Sequence, residues 1–250
     1  MHLCVFFRAS LCNKNKIKMS DLTFLITGAS KGIGLFLFEK FHAEGNRVFG
    51  TYNGTLPPEK YAENFTKVDI CSDEQVRSWI EKTVTNEDNI VLINCAASNY
   101  NAIARKSEIK KWEELINLNL VGTFRVIHEL LPLMYERSFG RIINFSSVLA
   151  QKALAGTSAY AASKAALWGM SRVIAAENAH RNITVNTLNL GYFALGMTVD
   201  VVPENILQEI RNQIPSGELG NPENIYRAIK FLINSDYTTG TTLDINGGLI

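Results

Sequence analysis

The sequence predicts an α/β fold in which one parallel sheet of about seven strands is doubly wound, with helices on both faces. Three observations lead to this. From Leu22 onward, short apolar β-type runs alternate with helix-period segments, the order of repeated βαβ units. No linker, composition break, internal repeat or low-complexity tract divides the 250 residues, a length that α/β folds often use as one unit. The chain is 46% hydrophobic with only 17 Gly and 6 Pro, so a sizeable core is expected and a disordered, collagen-like or disulfide-knotted chain is excluded.

The elements follow in order. Leu22–Thr27 reads as a buried strand, and Gly32–Glu44 as a helix stopped by Gly45. Further strands are expected at Arg47–Tyr52, Phe65–Asp69, Ile90–Cys95, Arg141–Ser146, Ile183–Leu190 and Thr242–Ile245. Between them lie helical patterns at Asp73–Thr85, Ile109–Leu118, Gly122–Arg137, Ala159–Asn178 and Pro222–Ile233. Phe124, Ile127, His128, Leu131 and Met134 form one stripe along the Gly122–Arg137 pattern despite Pro132. Gly191–Leu219 is irregular around a short helical pattern at Glu204–Gln213, and so long a stretch inside a compact domain is more often a functional lid than an idle loop.

Residues 1–18 stand apart from residues 19–250, which are expected to form one domain. An apolar patch, Leu3–Phe7, precedes Arg8 and a polar, basic stretch, the reverse of a secretory signal. The segment is read as an extension, either an upstream start or an arm. Lys and Arg number 25 against 24 Asp and Glu, so no global field favours nucleic acid or an anionic membrane. No apolar run approaches the roughly 18 to 20 residues of a membrane span. Cys4, Cys12, Cys71 and Cys95 form no C-x-x-C pair and no zinc-finger spacing, so neither a metal nor a disulfide framework is expected, and a reducing, cytoplasmic setting fits.

Two constellations carry chemistry. The first strand runs into Thr27-Gly28-Ala29-Ser30-Lys31-Gly32-Ile33-Gly34 and then a helix, placing glycines where backbone must approach a phosphate. The turn lacks the Lys-Ser/Thr ending of a nucleoside-triphosphate loop. The second is Ser147 with Tyr160 and Lys164, the latter pair four apart on a helix behind a cap at Thr157 or Ser158. A tyrosine titrates near about 10, and a neighbouring ammonium favours its phenolate.

Taken together, the chain resembles a short-chain dehydrogenase/reductase of the single-domain type, a Rossmann fold, from about Leu22 to Ile250. The T-G-x-x-x-G-x-G turn, Asp69, Asn94, Asn119, Ser147, Tyr160, Lys164 and the terminal Asp244-Ile245-Asn246-Gly247-Gly248 carry the resemblance. Its general look is similar to 3-oxoacyl-carrier-protein reductases and to bacterial sugar or secondary-alcohol reductases. The resemblance implies that Tyr160 is the general acid/base. Lys164 would lower its pKa and hold the nicotinamide ribose, and Ser147 would hydrogen-bond the substrate oxygen. Asn119 would hold a water linking Lys164 to solvent, and it also reads as a helix-kink amide, two roles that are compatible. Asp69 would accept the adenine amino group beside the Ile70 backbone, or serve only as a turn former. Ser146 competes with Ser147, and the family spacing to Tyr160 selects Ser147.

The chain departs from the family at three places. The usual N-N-A-G reads Asn94-Cys95-Ala96-Ala97, the usual Pro-Gly reads Leu190-Gly191, and the threonine expected near the carboxamide is replaced near Leu195. Backbone groups of Tyr192–Ala194, including Phe193, are expected to take over nicotinamide binding beside Gly191. The cofactor residues so implied are Gly28, Ser30, Lys31, Gly32, Ile33, Gly34, Asn53, Asp69, Ile70, Asn94, Ala96, Tyr160, Lys164, Gly191 and Phe193. No acid ends the second strand at Thr51-Tyr52-Asn53, and Lys31 adds charge inside the turn, so NADP(H) is expected over NAD(H). The function expected is reduction of a ketone or aldehyde, in a homotetramer or homodimer by resemblance, with no metal. Substrate walls are expected at Ser98–Arg105, Val148–Thr157 and Tyr192–Gln213. Two rivals are a cofactor-binding sensor or scaffold and a nucleotide-sugar dehydratase or epimerase, the second opposed by the short chain.

Overall fold

The computed structural model describes residues 18–196, 198 and 203–250. The N-terminal extension, Lys18 apart, lies outside the described residues. Seven parallel strands run β1 (Leu22–Thr27), β2 (Arg47–Tyr52), β3 (Phe65–Lys67), β4 (Asn89–Asn94), β5 (Gly140–Ser147), β6 (Ile183–Leu190) and β7 (Thr242–Ile245). Their order in the sheet is β3-β2-β1-β4-β5-β6-β7. The chain therefore reverses its direction of travel between β1 and β4, and the loops above those two carboxyl ends diverge to opposite sides, which opens a crevice there.

Every residue of β1 and β6 is buried, the mark of central strands covered on both faces. One face packs α1 (Gly32–Ala43), with Phe24, Phe38, Phe41 and Tyr226 in its core. The other packs α2 (Asp73–Thr83) around Trp79, Ile127 and Leu130. Ser72 caps α2 by accepting from Gln75 N–H at 3.3 Å. A short 3₁₀ turn, Met19–Asp21, precedes β1, with Met19 against the core.

Strand and helix boundaries move by only a few residues from those read in the sequence, with one informative exception. The Ile109–Leu118 pattern ends as α3 at Ile116, and Asn117–Gly122 forms a π turn that leads straight into α4 (Thr123–Arg137). Two patterns thus form one continuous helical path with a wide turn at Asn119. The long α5 (Ser158–Asn178) packs on β5 and β6, α6 (Glu204–Gln213) stands over the crevice, and α7 (Pro222–Asn234) returns beside α1.

Candidate active site

A cavity of about 620 Å³ opens at the carboxyl ends of the strands, where the switch of strand order places it. Its first wall is the turn after β1. Gly28 has φ +64°, and a Cβ there would sit 2.7 Å from the Ala96 Cα, so the backbone must be bare. At Gly34 a Cβ would lie 2.4 Å from the Gly28 carbonyl oxygen, which is why helix and turn can meet only at glycine. Thr51 at the end of β2 pins this turn: its Oγ accepts from Gly28 N–H at 3.2 Å, and its carbonyl accepts from Ala29 N–H at 2.8 Å. Thr27 pins the opposite wall by accepting from Cys95 and Ala96 N–H, both at 3.2 Å. Thr27 belongs to the glycine-turn motif and Thr51 is expected, with Asn53, to donate to the cofactor; their anchoring of the two walls is seen only in the fold, because an anchoring hydroxyl bond has no spacing signature.

Gly28, Ser30, Lys31, Gly32, Ile33 and Gly34 all line the cavity, as do Asn53, Asp69, Ile70, Ala96, Gly191 and Phe193. Lys31, the N-cap of α1, makes no side-chain bond to the first-turn amides, and no acid occupies that turn. Free amides at a positive helix end, bare glycine backbone and a nearby cation fit the pyrophosphate and phosphate groups of a dinucleotide. One oxygen of Asp69 accepts from Cys71 N–H at 2.9 Å, so Asp69 is a turn former that also borders the cavity. The Thr51 hydroxyl is buried against Gly28, which leaves exposed Asn53 and Thr55 among the polar side chains at that end.

Asn94 is placed differently from the cofactor role expected of it. It lies behind the cavity wall, donating to Asn144 Oδ1 at 2.8 Å, and Asn144 in turn donates to Ser171 Oγ at 2.9 Å. This buried polar ladder ties β4 and β5 to α5. Asn119 is likewise set back from the cavity, in the π turn. Its Oδ1 accepts from Ser98 N–H at 2.9 Å, while its amide donates to the Ser98 carbonyl at 3.0 Å and to Ser163 Oγ at 3.1 Å. With both ends of the side chain engaged, Asn119 clamps the loop after β4 to α5, the kink-amide reading. The backbone expected to bind nicotinamide is also partly engaged, because the Tyr192 carbonyl and the Ala194 amide pair with Gly220.

Ser147, Tyr160 and Lys164 all line the cavity. Ser147 ends β5, and its Oγ accepts from Leu149 N–H at 3.2 Å. Thr157 holds the N-cap position of α5, but its hydroxyl donates to the Leu154 carbonyl instead of capping the helix. One turn into that helix, Tyr160 and Lys164 share a face, with the ammonium 5.7 Å from the ring centroid. Lys164 Nζ donates to the Phe145 carbonyl at 2.7 Å. Ser146, the rejected rival of Ser147, donates from Oγ to the Lys164 carbonyl at 2.9 Å and accepts from Trp168 Nε1 at 2.9 Å. Burial pushes the Tyr160 phenol above its ordinary value, more than hydrogen bonding to Ser147 draws it down. Burial also drives the Lys164 ammonium down to about 8. The expected lowering of Tyr160 by Lys164 is thus absent from this geometry, where the ammonium faces a carbonyl.

Glycine turn, switch-point cavity and a Ser-Tyr-Lys cluster together define an α/β dinucleotide-binding oxidoreductase. A family model described as enoyl-(acyl carrier protein) reductase matches residues 28–250. The acetoacetyl-CoA reductase of Rhizobium meliloti is 36% identical over 233 residues, covering 90% of this chain and 96% of that protein. The 3-oxoacyl-[acyl-carrier-protein] reductases of Aquifex aeolicus and Thermotoga maritima are 31% identical over 247 residues and 35% over 241, covering 94% and 90% of this chain and 99% and 96% of those proteins. The chain belongs to the short-chain dehydrogenase/reductase family and is an enzyme acting on a keto or hydroxyl group. Among the described residues no helix is long and apolar enough to cross a membrane, and no cluster of metal-ligating side chains occurs.

Proposed function

We propose that this enzyme reduces a ketone or aldehyde with NADPH, with Tyr160 as proton donor. The observation that carries the reading is the convergence of Ser147, Tyr160 and Lys164 in the cavity bounded by the glycine turn. A bound nicotinamide dinucleotide supplies the hydride. Ser147 and Tyr160 both present hydroxyls to one oxygen of the substrate, holding the charge that grows there as the carbonyl is reduced. Tyr160 gives its proton to that oxygen, from a phenol that is protonated at neutral pH and that burial favours further in that form. Lys164, whose Nζ donates to the Phe145 carbonyl 5.7 Å from the Tyr160 ring centroid, would hold the ribose hydroxyls of a bound dinucleotide. At the far end, Lys31 and Asn53 line the cavity and would face a ribose 2′ substituent, and the absence of an acid at the end of the second strand supports a 2′-phosphate. The family resemblance supports a homotetramer or homodimer.

The test is a carbonyl panel followed by NADPH absorbance, with parent and Tyr160→Phe. The variant keeps the ring and removes the proton, so turnover should fall by about a hundred- to ten-thousand-fold while the melting transition survives. Fluorescence titration should show NADPH binding more tightly than NADH. A Tyr160→Phe rate within a few fold of parent refutes the proton assignment, and tighter NADH binding refutes the cofactor assignment.

A further inference from the structure

Beyond the reacting centre the cavity mixes uncharged polar side chains, Asn99, Asn101 and Thr157 among them, with apolar side chains that water still reaches. Leu154, on the segment between β5 and α5, is 52% exposed, and Ile206 on α6 is 38% exposed. Both line the same cavity as Tyr160 and Ser147. On α6 the inward Leu207 is buried at 4%, which anchors the helix on the core. Ile206 and Ile210, four apart, form a second stripe along the cavity, while the remaining positions of the helix are polar. Thus Leu207 holds the helix on the core, and the Ile206–Ile210 pair is turned to the cavity.

Charge is distributed unevenly along the cavity. Among the described residues its charged lining is Lys31, Asp69 and Lys164: the first two border the dinucleotide end, and the third lies beneath Tyr160. The nearest cation on the Leu154 segment, Lys152, donates to Gln213 at 3.2 Å and so ties that segment to α6 across the opening. Between Leu154 and the isoleucines no fixed charge remains to hold an anionic group among the described residues, and burying one unpaired there is strongly unfavourable.

Resting on the reductase reading above, we infer that the substrate carries an uncharged hydrocarbon arm, gripped between Leu154 and the Ile206–Ile210 stripe of α6, and that the length of this arm sets specificity. The grip acts on substrate and transition state alike, so it shows in KM more than in kcat.

The experiment uses full-length protein saturated with NADPH and a series of straight-chain methyl ketones, alongside ketones of matched length that end in a carboxylate. The neutral series should gain about three- to fourfold in kcat/KM per methylene over the first several carbons. The carboxylates should fall at least about tenfold below their neutral partners. Leu154→Ser and Ile206→Ser, both at exposed positions, should flatten the slope of the neutral series, and Leu154→Lys should narrow or reverse the gap to the carboxylates. A flat series in the parent, a slope unchanged in both serine variants, or a preference for the carboxylates overturns the inference and leaves the reductase reading standing. If no ketone is reduced, the reductase reading fails by itself. The arm is then judged by the binding of straight-chain alcohols to the NADPH complex, followed by nicotinamide fluorescence: affinity that climbs with length supports it, and affinity independent of length overturns it.

Discussion

Lys164 is an ammonium buried at 5% exposure with no carboxylate beside it, and its pKa of about 8 makes it a liability to the fold as well as a functional group. The ordinary value is 10.5, so the folded protein binds this proton less tightly than the unfolded chain. Below about pH 8 both states are protonated, and the native state bears the full penalty, about 3 kcal/mol at ~1.4 kcal/mol per unit. Between pH 8 and 10.5 the unfolded chain holds more protons, so this contribution makes native stability rise with pH. Lys164→Met removes the penalty at pH 7 and leaves the Phe145 carbonyl without its donor, a loss of about 1–2 kcal/mol. The variant should therefore be about 1–2 kcal/mol more stable than parent in urea at pH 7, free of cofactor, with the advantage gone by pH 10.5. Activity should move the opposite way. Parent kcat/KM for NADPH reports the free enzyme and should fall as pH rises through about 8, to about a tenth by pH 9. A variant 2 kcal/mol less stable than parent at pH 7, or a kcat/KM level to pH 9.5, would refute the argument.

Two further substitutions probe the scaffold. Gly34→Ala drives a methyl into the Gly28 carbonyl at the narrowest point of the turn, so NADPH affinity should drop at least about tenfold and the melting temperature should fall, read by fluorescence titration and calorimetry. Trp168→Phe keeps an aromatic ring but takes the indole donor from Ser146, loosening the clamp on the Lys164 carbonyl. It should cost about 1 kcal/mol and should add little to Ser146→Ala in a double-mutant cycle, whereas full additivity would show that the two do not act as one unit.

The alternation of apolar runs with helical patterns was enough to place the seven strands, because strands covered on both faces are rich in apolar side chains, the buried Thr184, Asn186, Thr187 and Asn189 of β6 being exceptions, and a helix between strands must show its own period. The glycine turn and the Tyr160–Lys164 pair were legible for a related reason. Each acts through residues close in the chain, and local spacing fixes their geometry once strand and helix are known. What the spacing of Asn94 and Asn119 could not convey was the destination of their amides. Asn94 turns to Asn144, 50 residues away, and Asn119 to Ser98 and Ser163, both contacts made only when β4, β5 and α5 are assembled. The same holds for Ser146 and Ser147, neighbours of identical chemistry. Successive side chains of a strand point to opposite sides, so the first hydroxyl is buried against Lys164 and Trp168 and the second opens into the cavity with Tyr160. The Lys164 pKa belongs wholly to tertiary structure, since it is set by the removal of water from an ammonium, and the water is displaced by residues distant in sequence.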